Sequence, residues 1–412
     1  MRAGPRTLSV AIAALLGAAP QAQSANADFQ NFFFDVCLAP TGVLAVRCAE
    51  TPLGTGNLSG DSESSLNPSQ NLAHNQPAIS TAHTRSKEAR ERGEKLREDE
   101  SEDGTRVASG PWSLLVNVHG TWFDRSAGLL PDVVRGFEGD SKAAELGFDY
   151  RVSDRLVIGG IAGFERMDYD FDAETPGVNF TPASVAGTAD NDNTYLTLFA
   201  SWNVGKSGFA ELSGGFESID GSYRRNSVFQ ESTRTITQTN VQAEGDADNE
   251  VTWLSFNAGF DHASGAWSLG PYAGLTWTRS RMEAYTERDL GNSGLHMSFS
   301  GATQESLLGH AGLRASYVAS TRGGIVVPQL RVEFQHEFDN QSQDVMASFV
   351  LDSAATQYLL SSSGGDRDSF NAGLSIAFVL KNGWMPFFDY SILLGNDDLD
   401  RQRATLGLRV EF

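Results

Sequence analysis

The chain has little cysteine, a deficit of positive charge and no long apolar run. Two cysteines in 412 residues, with no His between or beside them, make a poor zinc set. Lys and Arg number 31 against 52 Asp and Glu, a formal charge of −21. That argues against nucleic acid as a partner, because phosphate binding needs an excess of cations. Beyond the N-terminus no 18 consecutive residues are apolar, so helical membrane spans are excluded. None of this excludes a β-barrel, whose lipid face is hidden in alternation and is invisible to mean hydropathy.

Arg2 and Arg6 precede an apolar run, Leu8 to Ala19, and the small-residue site Ala25-Asn26-Ala27 follows. This is the pattern of an export signal over residues 1–27, with the mature chain starting near Asp28. Cys37 and Cys48 then lie close together in an oxidising compartment, where a small disulfide loop is expected. Residues 28–81 carry no sustained helical or strand period. Thr51 to Ser80 is rich in Gly, Ser, Asn, Pro and Gln and reads as extended or disordered. Residues 82–110 differ. They hold helix formers with ion pairs at helical spacing: Glu88–Arg92 and Glu91–Lys95 four apart, Glu94–Arg97 three apart. Almost nothing on this helix is apolar, and a polar helix is either solvated or set in a polar channel.

From Pro111 to Phe412 the period becomes two. Ala144, Leu146, Phe148, Tyr150 and Val152 alternate with Glu145, Gly147, Asp149 and Arg151, as a strand between an apolar and a polar medium requires. Twelve such strands can be read, near 112–122, 143–152, 155–171, 194–204, 208–220, 250–261, 266–281, 304–318, 325–338, 367–380, 384–394 and 403–412. Short turns such as Gly205-Lys-Ser alternate with long polar connections, roughly 124–141, 172–192, 221–249, 282–303 and 339–366; only 395–400 is brief. Alternating turn lengths around an even strand number point to an all-β fold: a twelve-stranded antiparallel transmembrane β-barrel in the outer membrane. Trp112, Trp202, Trp267 and Trp384 fall on the apolar parity near the short turns, and Trp122 and Trp277 near the long ones, as two interfacial girdles would. Trp253 has the opposite parity and should point inward. The inner parity carries Glu145, Asp149, Arg151, Arg314, Arg331, Glu333, Glu337, Arg409 and Glu411.

Pro328 through Phe338, with Arg331 and the ending His336-Glu337-Phe338, and the closing Leu406-x-Leu408-x-Val410-x-Phe412 resemble the translocator β-domain of autotransporters, the type V secretion proteins. The likeness covers residues 111–412, preceded by a helix. It implies that the helix, with Arg85, Glu88, Arg92, Glu94 and Arg97, lies in the pore and links the barrel to an exported segment. It also implies that Leu406, Leu408, Val410 and Phe412 form the signal read by the barrel-assembly machinery. Two features depart from the family. Residues 28–81 are too few for a long repetitive β-helical passenger. Some members cut the linker helix at an Asn, and no Asn lies between Asn75 and Asn117, so no cleavage by that route is expected.

Sites for chemistry are sparse. His296-x-Ser298 resembles the His-x-Ser of outer-membrane lipid hydrolases, but with seven His in the chain a chance match is unsurprising, and it falls in a loop. Asp190-Asn-Asp-Asn193 lacks the rest of a calcium loop. Gly159-Gly160-x-x-Gly163 lies in a strand with no helix after it and reads as close strand packing. No catalytic residue, cofactor or metal is therefore expected. The expected partners are outer-membrane lipid, lipopolysaccharide and the assembly machinery, with the protein itself a monomer. The expected function is export and anchoring of the short N-terminal segment at the cell surface. The alternatives are a passive pore or structural barrel, or a lipid hydrolase.

Overall fold

A computed structural model of the chain describes residues 19–59, 61–98, 110–125, 135–177, 180–231, 238–339, 343–362, 365–396 and 399–412. The signal-peptide assignment falls largely outside them. Twelve long antiparallel strands are present among these residues: β1 Trp112–Arg125, β2 Phe137–Ser153, β3 Leu156–Phe171, β4 Gly187–Val204, β5 Gly208–Gln230, β6 Gln238–Phe260, β7 Trp267–Met282, β8 Ala302–Tyr317, β9 Gly324–Glu337, β10 Asp368–Leu380, β11 Trp384–Leu394 and β12 Asp400–Glu411. Each pairs with its sequence neighbour, and β1 pairs with β12 from Ser113↔Glu411 to Asp124↔Asp400. The sheet therefore closes, and no backbone edge is left to face lipid.

The alternation explains the wall. Val118, Leu146, Leu198, Leu254, Leu330 and Leu406 are exposed on the outside, where lipid replaces water. Every Trp except Trp253 is also exposed, while Trp253 is only 2% so. Its inward turn has a local cause. Gly215 stands directly opposite on β5, and a Cβ there would lie 2.5 Å from the indole Nε1. Gly163 likewise leaves room for the ring of Tyr195, whose hydroxyl would meet a Cβ at 2.3 Å, in keeping with the close packing expected of that glycine run.

The strands are longer than the alternation suggested. β5 and β6 each run 23 residues, whereas a membrane crossing needs roughly 9–11. Residues 187–193, 221–230 and 238–249 continue strands where long loops were expected. The reason is visible in β3. Its lipid-facing row ends at Phe164; beyond it the same parity holds Arg166, Asp168 and Asp170, while Met167, Tyr169 and Phe171 turn inward and are buried. β6 does the same, with Leu254 and Phe256 outside at membrane level, then Glu250, Asp248 and Asp246. Polarity inverts without any change of register. Below the boundary the outer row is apolar; above it the outer row is charged and the inner row apolar.

The inward apolar row is covered by the N-terminal segment, which is folded rather than extended. Helices α1 Ala19–Val36, α2 Gly42–Glu50 and α3 Asp61–Leu66, with 3-10 turns at Pro52–Gly54 and Ser69–Ala73, form a cap. The β7–β8 and β9–β10 connections add a small four-stranded sheet from Tyr285–Thr286, Met297–Phe299, Asp344–Phe349 and Tyr358–Ser361. One apolar core unites Phe29, Phe32, Phe33, Leu44, Leu66 and Leu72 of the cap with Phe171, Phe229, Tyr285, Phe299, Phe349 and Tyr358 of the barrel and its loops. The Phe32 ring stacks on Phe349 at 5.7 Å between centroids. The Gly, Ser and Asn content of 51–80 gave no helical period because these short helices gain their stability from that shared core.

Candidate functional site

The lumen is occupied by α4, Asn75–Glu98, which starts seven residues before the linker boundary read from the sequence. Its N-terminal end adjoins the cap, and its later turns meet Asp149 and Ser113 near the short-turn end. The helix therefore runs the length of the pore, with the chain's N-terminal portion at the long-loop end.

One face of α4 is not polar. Ala78, Ala82 and Ala89 are buried against Val157, Ile161, Phe199, Ile219, Val251 and Trp253 on the inner wall. Gly93 continues this narrow face. A Cβ there would meet the Glu211 carboxylate and lie 3.2 Å from the Ser201 Cβ, so any larger residue would have to push the Glu211 side chain aside. Small side chains thus seat the helix off-centre.

The other faces pair with the wall. The Arg85 guanidinium donates to Glu145 at 3.2 Å, to Glu88 at 3.3 Å and to Glu165, and lies 3.6 Å from the centre of the Tyr195 ring. Arg90 meets Glu333 at 2.6 Å and the His310 ring nitrogen at 2.8 Å. Glu91 accepts from Arg331 at 2.7 Å. Arg92 pairs with Asp149, Glu94 with Arg314, and Glu88 with Arg403. Buried charges persist only when paired and hydrogen-bonded, and here helix and wall supply each other's counterions. Glu88, His119 and Glu145 converge closely enough to hold a metal ion, but Arg85 already places its guanidinium 3.2–3.4 Å from all three. The cation of that cluster is an arginine.

Glu145, Asp149, Arg314, Arg331, Glu333, Arg409 and Glu411 are all buried on the inner face, Arg409 pairing with Glu411. Arg151 and Glu337 have that parity but are only half-buried; Arg151 adjoins a short turn, and Glu337 accepts from Ser306 and the Leu307 amide near the strand end. The side chain of Arg97 lies outside the described residues. Around α4, among the described residues, is a lumen cavity of about 1320 Å³ bordered by Lys87, Glu91, Gln329, Phe387 and Arg403 and reaching the short-turn mouth at Arg155 and Lys206. Leu406 and Phe412 are exposed on the lipid face, and Leu408 and Val410 half so. The backbone of Phe412 exchanges hydrogen bonds with Trp112 at 3.0 and 3.3 Å, closing the seam.

The cap is tied to the rim by polar contacts. Ser62 and Ser65 accept from the amides of Gln230 and Val228 at 2.8 Å, covering a free edge of β5. Asn71 donates to the Tyr285 hydroxyl at 2.6 Å, and Thr41 pairs with Leu351. Arg225 forms a two-pronged buried pair with Glu287 at 2.7 and 2.8 Å; burial opposes its charge, and Glu287 more than restores it. Cys37 and Cys48 are disulfide-bonded and join α1 to α2. His74, beneath the cap, is enclosed by Tyr223, Phe171 and Tyr169, and burial pushes its imidazole down to about 3.

Ser298 lies on an inner strand of the small sheet, Met297–Phe299, rather than in a loop, and His296 is in the connection just before it. The Ser298 hydroxyl bonds to Thr286 at 2.9 Å, while His296 faces Asp289 at 3.6 Å. No His296–Ser298 hydrogen bond is present among the described residues. Asp190 and Asp192 sit on the outer face of β4, opposite Asp168 and Asp220, not in a loop.

The family model for the autotransporter β-domain matches residues 105–391. The chain belongs to the autotransporter β-domain family. The translocator domain of the autotransporter NalP from Neisseria meningitidis is similar over 81% of this chain and 98% of that one, with 15% identity and a TM-score of 0.56. The β-domain of the Bordetella autotransporter BrkA (15% identity, 73% and 100% covered, TM-score 0.48) and the transport unit of AIDA-I from Escherichia coli (14%, 73% and 90%, 0.47) are further matches. No curated protein sequence matches. The molecule is thus an autotransporter-type outer-membrane barrel, of the kind that secretes passenger domains. The inverted polarity of the upper strands is the feature that sequence reading missed. Its signal was present in Met167, Tyr169 and Phe171, which share one parity opposite Asp168 and Asp170.

Proposed function

We propose that this autotransporter exports only its own N-terminal segment, residues 28–74, and retains it as a permanent folded cap at the cell surface. The carrying observation is the shared core. Releasing the segment would expose Phe171, Phe229, Tyr285 and Phe349 to water, each 9% exposed or less. Burial of one such side chain stabilises by about 1.5–3 kcal/mol, so the cap belongs to the barrel and is not a cargo in transit. The export signal over residues 1–27 delivers the chain to the periplasm, and the barrel-assembly machinery recognises the closing Leu406, Leu408, Val410 and Phe412. The chain acts by physical means and has no catalytic role. The hydrolase reading finds no support in the Ser298 hydroxyl, which is bonded to Thr286.

Topology tests this. Ser69 is buried, so a tag there would break the cap. The Leu53–Gly54 turn, with Leu53 99% exposed, accepts one. Antibody binding at this turn on intact cells is expected. Binding only after the outer membrane is breached would mean a periplasmic segment and a different function.

A further inference from the structure

The chain is strongly acidic, yet its short turns are not. Arg155 lies between β2 and β3, Lys206 between β4 and β5, Arg322 between β8 and β9, and Lys381 between β10 and β11. All four are exposed, and none forms an ion pair among the described residues. The carboxylates at this rim are few. Asp261 is held by Arg314, and Asp154 stands beside Arg155. Above the opposite boundary the outer wall carries Asp168, Asp190, Asp192, Asp220, Asp246 and Asp248. That wall also carries Lys142, Arg166, Arg224, Arg279, Arg281 and Arg288, several of them paired with acids there. What sets the short turns apart is that their cations outnumber the carboxylates among them.

Their level is marked by aromatic rings. Trp202, Trp267 and Trp384 are exposed within a few residues of the short turns, as is Trp112 at the start of β1. Indoles settle at the headgroup level of a bilayer. The four cations sit at the turns next to that belt, Arg155 and Lys206 also bordering the mouth of the lumen cavity. A negatively charged leaflet attracts basic side chains at its surface, and the attraction fades within a Debye length.

We infer that the short-turn rim is a binding surface for anionic phospholipid headgroups, with Arg155, Lys206, Arg322 and Lys381 as the contacting residues. The inference rests on the barrel orientation but not on export of the cap. The partner is the leaflet that the short turns meet, and its recognised chemistry is a phosphodiester carrying net negative charge.

The belt supplies the reporter. The full-length protein is reconstituted in bilayers containing brominated phosphatidylglycerol or brominated phosphatidylcholine at equal mole fraction, and tryptophan quenching is compared. A preference of roughly threefold or more for phosphatidylglycerol is expected at low salt, shrinking toward unity as salt screens the rim. The variant Arg155→Gln, Lys206→Gln, Arg322→Gln, Lys381→Gln should lose the preference while keeping the gel mobility of a folded barrel. Equal quenching by both lipids in the native protein overturns the inference, as does a folded variant with its preference intact. If the variant does not fold, the salt titration of the native protein decides alone, and a salt-independent preference overturns the inference. A failure here with the Leu53 turn still reached from outside leaves the export reading standing.

Discussion

His74 should make the cap sensitive to acid. Its ring is 4% exposed and lies 3.9 Å from the Tyr223 ring. Nδ1 is 3.3 Å from the Tyr169 hydroxyl. Burial alone pushes the imidazole from 6.5 down to about 3. A depressed value means that the undocked cap binds the proton more readily than the docked one. The docked state therefore keeps its full stability above pH 6.5 and loses it as pH falls toward 3. Each pH unit within that window costs about 1.4 kcal/mol, so moving from neutral pH to pH 5 costs about 2 kcal/mol, or about thirtyfold in the opening equilibrium. Hydrogen exchange of α2 and α3, corrected for intrinsic rates, measures this opening directly. Protection should fall by that factor in the native protein and stay nearly flat in His74→Gln, with the membrane strands unaffected in both. Equal protection at the two pH values in the native protein, or an equal fall in the variant, would show that burial of His74 does not couple the cap to protons.

Other outcomes follow from the lumen and the cap. Arg85→Met leaves Glu145 and Glu165 without their cation, though still bonded to Tyr195 and Ser141, and should cost about 3–5 kcal/mol in urea unfolding, with partial recovery when Glu145→Gln and Glu165→Gln are added. Gly93→Val drives a side chain into Glu211 and Ser201 and should cost about 1–3 kcal/mol by overpacking, seen as a lower folded fraction in heat-modifiability gels. Cys37→Ser with Cys48→Ser frees an 11-residue separation and should destabilise the cap by about 2–3 kcal/mol; protease digestion should then cut α1 and α2 while leaving the barrel intact. Deleting Phe412 removes its two backbone bonds to Trp112 and should lower the yield of closed barrel.

The wall was legible because lipid outside and polar lumen inside impose a strict period of two, and the twelve strands fall where that period is clean. Legibility ended at the membrane boundary. There the period of two continues but its meaning reverses, so 221–230 and 238–249 look like polar loops although Tyr223, Phe229 and Val241 are core residues. The cap was illegible for another reason. The faces of its helices are completed by Phe349 and Tyr358, some 320 residues away in sequence, and no local pattern reports such a partner. Helix α4 lay between these cases. Its charges predicted a polar channel, but the Ala78, Ala82, Ala89 and Gly93 face was hidden among them, and its first turns at Asn75 lacked the charge pattern used to find it. The cysteine pair needed only the compartment and the short spacing.

The off-centre helix and the cap together have a mechanical consequence. Cap, helix and wall form a rivet: a head packed on the rim through the shared core and a shank keyed to the wall by ion pairs. Tension applied at the surface loads the shank in shear, so its pairs with Glu145, Asp149, Arg314, Arg331 and Glu333 resist together rather than one by one. On the proposed topology, whatever grips the cap from outside pulls on twelve hydrogen-bonded strands at once.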